Sequence, residues 1–236
     1  MKPLEYEDLA RSNAPFMAEL EKVAAEVLRG GGYILGNRVA EFESAFARYC
    51  GAAHCVGVAS GLDALLLSLK VLDLPPSSEV IVPSNTYIAT ILAVLQAGLK
   101  PVLVEPDLRT YNLNPSLLAS AISAKTKAVL VVHLYGKPCD MDPILQLAAE
   151  RDLKVIEDCA QAQGATYKGR PVGSLGDAGA FSFCQDKIMT TAGEGGMLTT
   201  NLPSVYEAAW SYRDHGRSRE AAASPSQALA RLPLRP

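Results

Sequence analysis

The sequence predicts an α/β domain built on a mainly parallel sheet with helices on both faces. Short runs rich in valine and isoleucine alternate with helical segments from His54 onward, and strands that alternate with helices form parallel sheets. The run AVLVVHL, residues 128–134, is apolar at nearly every position, as suits a central strand with both faces buried. The 236 residues are 49% hydrophobic, enough for one domain with a sizeable core.

The elements follow one another in a regular order. Apolar residues recur at helical spacing over 16–28 and 39–49, and the glycines at 30–32 with the segment YILGN make the connection between these two helices flexible. Helices are expected after each of the first four strands. The predicted strands are residues 54–60, 79–84, 101–106, 127–136, 153–161, 178–184 and 195–201.

The composition changes after Arg217. The last residues, REAAASPSQALARLPLRP, are rich in Ala, Pro and Arg and have no periodic apolar face. Such bias is typical of disordered ends, so residues 1–217 are expected to form the folded domain and residues 218–236 a disordered tail. A docking segment is the alternative interpretation of the tail.

Charge and composition exclude several functional classes. The 22 Lys and Arg residues nearly balance the 25 Asp and Glu residues, and no basic run could follow a phosphate backbone, so nucleic acid is not an expected partner. The first 15 residues contain acidic side chains and no apolar segment, which favours a cytoplasmic protein without a membrane anchor. The five cysteines form no Cys-x-x-Cys pair, and the three histidines show no metal-ligand spacing, so free thiols and no metal site are expected.

The ends of the predicted strands carry the candidate chemistry, because ligands of such sheets collect outside the carboxyl ends of the strands. Asp158 ends one apolar strand, with Gln161 three residues later, and Lys187 follows the strand end FSF. A buried aspartate that pairs with a pyridinium nitrogen lets pyridoxal phosphate act as an electron sink. Lys187 would hold the cofactor aldehyde as a Schiff base.

The same cofactor needs a phosphate site and a flat apolar surface. The segment Ser60-Gly61-Leu62-Asp63 is a strand-to-helix turn whose backbone amides point toward an incoming anion. Ser182 could add a hydroxyl to that site. Tyr87, at the start of the helix TYIATILAVLQAG, is suitably placed to stack on a ring.

Each of these residues also has an ordinary structural interpretation. Lys187 could be a solvated surface residue, Asp158 a helix N-cap, Tyr87 a core residue, and Gly61 no more than a helix start. Together the ordinary interpretations are less attractive. Several requirements of one cofactor are met at separate strand ends, and this class of fold brings those ends together.

The chain resembles the DegT/DnrJ/StrS family of sugar-nucleotide aminotransferases over residues 30–217. The segments that carry the resemblance include VASGLDALLLSL, EVIVPSNTYIAT, VVHLYGKPCDMDPI and TTAGEGGMLTTN. The most specific is EDCAQAQGA, which is followed by FSF and then by the lysine. The resemblance implies the three-layer, mainly parallel sheet of the aspartate-aminotransferase type, which is the large domain of fold-type-I pyridoxal-phosphate enzymes.

The resemblance also implies a role for each candidate residue. Lys187 is the Schiff-base lysine, and it moves the proton between cofactor and substrate carbon. Position 62 is commonly threonine in the family, so a hydroxyl contact to the phosphate is missing here. The implied cofactor contacts are Asp158 with the pyridine nitrogen, Gln161 with the ring hydroxyl, Tyr87 stacked on the ring, and Gly61, Leu62 and Ser182 with the phosphate.

The implied reaction is a transamination. Glutamate donates an amino group to the cofactor, which passes it to a keto group of a nucleotide-linked deoxysugar, in the biosynthesis of aminosugars for cell-surface polysaccharides or antibiotics. Some relatives have histidine in place of the lysine and dehydrate sugars, and Lys187 argues against that reaction. The sugar carbon and the nucleotide are set by pocket loops, not by the fold, so both stay open.

The length departs from the family pattern. Family members have roughly 370 residues and a C-terminal small domain that helps to shape a site across a homodimer interface, and this domain is expected to be absent here. An alternative function is therefore a catalytically incompetent fragment that acts at most as a folding or interaction module. A dinucleotide-binding oxidoreductase is disfavoured, because VGVASGLDALL lacks the Gly-x-Gly-x-x-Gly turn after the first strand.

Overall fold

The architecture is an α/β sandwich, seen in a computed structural model that describes residues 8–220. The predicted strands and the helices between them are all present. Single-turn 3₁₀ helices cover Ala14–Phe16 and Leu134–Gly136. The other elements are α1 (Leu9–Asn13), α2 (Met17–Gly30), α3 (Asn37–Cys50), β1 (His54–Val58), α4 (Gly61–Val71), β2 (Glu79–Pro83), α5 (Ile88–Gln96), β3 (Lys100–Val104), α6 (Pro115–Ala121), β4 (Thr126–Val132), α7 (Met141–Glu150), β5 (Lys154–Asp158), β6 (Thr166–Tyr167), β7 (Arg170–Pro171), β8 (Ala178–Ser182), β9 (Gly196–Thr200) and α8 (Pro203–Arg213).

One seven-stranded sheet organises the domain, in the order β1-β9-β8-β5-β4-β2-β3. The pairs β2–β3, β2–β4, β4–β5 and β5–β8 are parallel, whereas β9 is antiparallel to both β8 and β1. The mainly parallel sheet predicted from the sequence is therefore confirmed. The strands β1, β2, β4, β5 and β8 all run in the same direction. Their carboxyl ends therefore lie at one edge of the sheet.

Both faces of the sheet are buried. Along β4, Leu130 packs under α4 and α5, while Val129 and Val131 pack under α6 and α7. This alternation makes the two apolar layers of a three-layer sandwich and explains why the strand has no polar face. A third cluster packs Phe46 of α3 edge-on against Phe181, with ring centroids 4.9 Å apart.

Two features differ from the sequence prediction. The hairpin of β6 and β7 lies between β5 and β8, where no hairpin was expected. The helix α2 has no buried residue, although its apolar residues recur at helical spacing. The predicted disordered tail lies outside the described residues from position 221 onward.

Other expectations agree with the described region. The five cysteines are free thiols, and Cys184 is the one that is not fully buried. Among residues 8–220, no helix is long and apolar enough to cross a membrane.

The buried carboxylate of Glu157 fixes the end of β5. Its Oε1 accepts hydrogen bonds from the amides of Leu175 and Gly176 at 2.7 and 2.8 Å. Its Oε2 accepts from the Gly173 amide at 2.9 Å and lies 3.0 Å from Nε2 of His133. All four partners of the two carboxyl oxygens are backbone or ring nitrogens, so both oxygens act as acceptors.

We expect Glu157→Gln to destabilise the fold by about 3 kcal/mol, since one side-chain amide would face the N–H groups that now donate to the carboxylate. The measurement is urea denaturation of the full chain at neutral pH. Gln146→Ala on the exposed face of α7 is the control, because within residues 8–220 its side chain bonds only to Glu150. A Glu157→Gln midpoint equal to that of the control contradicts the prediction.

Candidate functional site

The N-terminus of α4 and the end of β8 form one corner of the site. Gly61 lies so close to β8 that a Cβ atom on it would be 2.6 Å from the Cβ and 3.1 Å from the Oγ of Ser182. The amides of Gly61 and Leu62 donate to no described residue, because the first hydrogen bonds of the helix come from Asp63 and Ala64 to Ser60. Two free helix amides beside a hydroxyl make a ready anion site.

Asp158 lies at the centre of the strand ends and is 5% exposed. Its Oδ1 accepts a hydrogen bond from the Ala160 amide at 3.1 Å, and its Oδ2 accepts one from the Thr90 hydroxyl at 2.8 Å. Burial raises the pKa of the Asp158 carboxyl, and these two hydrogen bonds with the charge of Lys187 offset only part of the rise. No helix follows Asp158, so the N-cap interpretation is wrong.

Lys187 lies in the turn after β8, and its side chain is 20% exposed. It is therefore not an ordinary solvated surface lysine. Its Nζ is 3.2 Å from the carboxylate of the neighbouring Asp186. The ammonium is also near enough to Asp158 for its charge to lower the pKa of that carboxyl.

Gln161 lies between Asp158 and the loop after β4. Its Oε1 accepts a hydrogen bond from the Tyr135 amide at 2.7 Å, and Tyr135 has a positive φ of 55°. Among the described residues, Nε2 of Gln161 has no hydrogen-bond partner, so one donor of the side chain is left for a ligand.

Tyr87 immediately precedes α5, and its side chain is 73% exposed. The core interpretation of this residue is therefore wrong. Thr90 is three residues later, where a helix brings side chains to the same face. Thr90 bonds to Asp158. Tyr87 therefore lies at the start of the helix that contacts this buried carboxylate.

Sequence reasoning missed three residues that support the site. Thr90 is 1% exposed and bonds directly to Asp158; its helical spacing from Tyr87 was the available signal. Gln163 donates a hydrogen bond from Nε2 to the carbonyl of Ser182 at 2.7 Å. The buried His133 accepts a hydrogen bond at Nδ1 from the Cys139 amide, so its proton lies on Nε2 and is donated to Glu157.

One group of potential metal ligands was not visible in the sequence spacing. The ligand atoms of His133, Glu157 and Cys159 lie within 4.8 Å of one another. Both histidine nitrogens and both carboxylate oxygens already have protein hydrogen-bond partners. We therefore interpret this cluster as the hydrogen-bond network that fixes the ends of β4 and β5.

The candidate site is an open edge of the sheet. A cavity of about 540 Å³ lies elsewhere, beside the start of α6 and the segment before α7, and none of the predicted site residues lines it. Tyr167, whose hydroxyl donates a hydrogen bond to Asp140 at 2.6 Å, forms part of its wall. The buried acid, the lysine and the free amides lie instead at the strand ends.

The chain matches a known protein family over most of its length. A model of the DegT/DnrJ/EryC1/StrS aminotransferase family matches residues 16–229. The chain belongs to this family. A curated relative, the dTDP-3-amino-3,6-dideoxy-alpha-D-galactopyranose transaminase of Aneurinibacillus thermoaerophilus, is 49% identical over 213 residues, which is 90% of this chain and 59% of the relative.

Two solved structures have the same fold as this chain. S. venezuelae DesV, solved in complex with a ketimine intermediate, superposes with a TM-score of 0.89 at 43% identity. The match covers 92% of this chain and 58% of the DesV chain. NtdA of Bacillus subtilis, solved with the bound cofactor PMP, has a TM-score of 0.87 at 30% identity. The match covers 92% of this chain and 49% of the NtdA chain. The chain thus spans about half to three fifths of the length of these relatives.

Gly61→Ala is expected to destabilise the chain by about 1–3 kcal/mol, because the new methyl group would overlap the Cβ of Ser182. It should also weaken binding of inorganic phosphate by displacing the hydroxyl from the free amides. Thermal unfolding with and without phosphate measures both effects. Gly30→Ala is the control, since a Cβ at Gly30 would meet no atom within 4 Å; equal stability of the two variants contradicts the prediction.

Asp158→Asn is expected to leave the ligand-free chain at least as stable as the wild type at pH 7. The asparagine oxygen would accept from the Ala160 amide and its NH2 group would donate to Thr90 Oγ1, so both contacts would remain without a buried charge. Burial raises the pKa of this carboxyl in the folded chain. The wild type therefore loses stability as the pH rises from about 4, the pKa of the carboxyl in the unfolded chain, through its higher pKa in the folded chain. The stability difference between variant and wild type should therefore grow with pH in urea titrations. A difference that shrinks as the pH rises contradicts this.

Proposed function

We propose that this chain binds pyridoxal 5'-phosphate at the strand ends and transfers an amino group from glutamate to a keto group of a nucleotide-linked deoxysugar, in the cytoplasm. The observation that carries the proposal is the convergence of the buried Asp158, the lysine Lys187 and the free amides of Gly61 and Leu62 on one sheet edge. Membership of an aminotransferase family and the transaminase names of the relatives support it.

The residues present fit the cofactor. Gly61, Leu62 and Ser182 would hold its phosphate, since two free amides and a hydroxyl lie together there. Asp158 keeps two accepted hydrogen bonds and has lone pairs left for a ring N–H. Gln161 has a free Nε2 donor for the ring hydroxyl.

Each side chain has a distinct part in the proposed mechanism. When bound, pyridoxal phosphate supplies the electron sink that stabilises charge on the reacting carbon. Asp158 would hold a proton on the ring nitrogen, and its burial would strengthen that pairing because little water would compete. Tyr87 presents its exposed ring as a stacking surface. Lys187 would hold the cofactor through its Nζ and would carry a proton to and from the substrate carbon at the same atom.

We propose that the active form is a homodimer. An exposed apolar stripe runs along α5 through Ile88, Leu92 and Leu95, which follow one another at helical spacing, and begins beside Tyr87. Exposed apolar surface of this kind is typical of interfaces. A second copy on the stripe would lie at the mouth of the site and exclude water from it.

We also propose that residues 1–217 form the cofactor-binding large domain. A second candidate function follows from the share of the relatives that the chain spans, 59% of the Aneurinibacillus transaminase. In it, the cofactor binds but no substrate is turned over, so that the chain acts at most as a folding or interaction module.

Purified chain mixed with pyridoxal phosphate is expected to gain visible absorbance, and borohydride should fix the cofactor on Lys187, identified by peptide mass spectrometry. Lys187→Ala should form no adduct. Its turnover rate should fall at least about 100-fold, because acid–base catalysis by a positioned group raises a rate by at least that factor. Lys168→Ala on the exposed β6–β7 hairpin is the control. No adduct on Lys187 would refute the cofactor assignment.

Turnover separates the two candidate functions. A chain that sediments as a dimer and consumes glutamate with a ketosugar nucleotide has the proposed activity. A chain that forms the adduct and turns over nothing has only the second function.

A further inference from the structure

The turn after β8 places a second carboxylate on the lysine. Nζ of Lys187 is 3.2 Å from the carboxylate of Asp186, whose side chain is about half exposed. Asp158, the acid assigned to the cofactor, makes no ion pair with Lys187 within 4.0 Å in the described region. The residue in contact with the amine is therefore Asp186, for which neither the sequence motifs nor the proposed mechanism has a role.

The surroundings favour the charged form of the Asp186 carboxyl. Burial raises its pKa, but the hydrogen bond and charge of Lys187 together with a hydrogen bond from Cys184 outweigh burial, so the net pKa is lowered. The other titratable groups that face the turn are Asp158 from β5, Cys184 and Glu194. The Cys184 thiol donates a hydrogen bond to Glu194 at 3.3 Å, and the Cys184 carbonyl accepts one from the Lys187 amide at 2.9 Å.

We propose that Asp186 is a positioning residue that holds the Lys187 amine as an ammonium ion at the mouth of the site, and so slows its reaction with aldehydes at neutral pH. An amine attacks a carbonyl carbon only when it is deprotonated and free. A carboxylate in contact favours the ammonium form and competes with the attack. The catalytic meaning of this role rests on the proposed function, but the contact itself does not.

The size of the effect follows from the exposure of the pair. Because water reaches the Asp186 side chain, the interaction free energy of Asp186 with Lys187 is only the small amount that partly exposed ion pairs usually contribute. Removing the carboxylate should therefore speed the reaction of Lys187 about two- to fivefold at neutral pH. The gain should vanish at high pH, where the amine is deprotonated with or without a carboxylate.

The test uses the full chain without cofactor and formaldehyde with cyanoborohydride as the aldehyde probe. The rate of methylation at Lys187 is followed by peptide mass spectrometry between about pH 7 and pH 11.5, a range that spans the usual lysine pKa of about 10.4. The variants are Asp186→Asn, which removes the charge, and Asp186→Glu, which keeps it. Asp142→Asn is the matched control, because Asp142 pairs with the exposed Lys168 on the β6–β7 hairpin.

The proposal expects Asp186→Asn to speed methylation of Lys187 at pH 7 and to lose this advantage at about pH 11.5, where the amine is mostly deprotonated in every variant, with Asp186→Glu close to the wild type. Asp142→Asn should speed the methylation of Lys168 and leave the methylation rate of Lys187 unchanged. An Asp186→Asn rate that equals the wild type, or that differs by the same factor at every pH, overturns the proposal, since a merely structural role acts independently of pH.

Capture of pyridoxal phosphate by the same proteins separates this inference from the proposed function. If methylation responds as expected but no protein captures the cofactor, the role of Asp186 stands and the proposed function fails. If the cofactor is captured on Lys187 and methylation does not respond, the proposed function stands and the role of Asp186 fails.

Discussion

The carboxylate of Glu157 is the interaction on which the rest of the structure depends. It is fully buried in the middle of the sheet and is satisfied by three backbone amides and the ring of His133. Those amides belong to the segment that leads into β8, and His133 directly follows β4. One side chain therefore ties the ends of β4 and β5 to the segment that enters β8. A buried charge is tolerated only when it is fully hydrogen-bonded, so this network holds the edge of the sheet in one arrangement.

Two neighbouring acids at the end of β5 have opposite roles because successive strand residues point to opposite faces. Glu157 points to the side of His133 and the 173–176 turn and is saturated by donors. Asp158 points to the side of α5, where Thr90 and one backbone amide bond to it and lone pairs remain. The saturated acid stabilises the scaffold, and the unsaturated acid is left to bind a ligand. The rigid first acid positions the second.

The lysine lies in a less constrained environment. It is carried by the turn after β8, whose backbone is held by hydrogen bonds from Phe183 to Gly195 and from Lys187 to Cys184. Its ammonium is in contact with Asp186 and within the field of Asp158, so two carboxylates of different burial act on one amine. Such a divided field suits a group that must be bound at one stage of a reaction and free at another.

The sequence by itself determined the fold class, the order of strands and helices along the chain, and the candidate residues at the strand ends, because apolar periodicity and strand-end position are local properties of the chain. It did not reveal the order of strands in the sheet, the antiparallel β9 or the exposed α2. Nor did it show that Thr90 bonds to Asp158, that Glu157 and His133 are paired, or that Asp186 is in contact with Lys187. These facts depend on side-chain direction and on contacts between residues far apart in sequence, which only the packed tertiary structure decides.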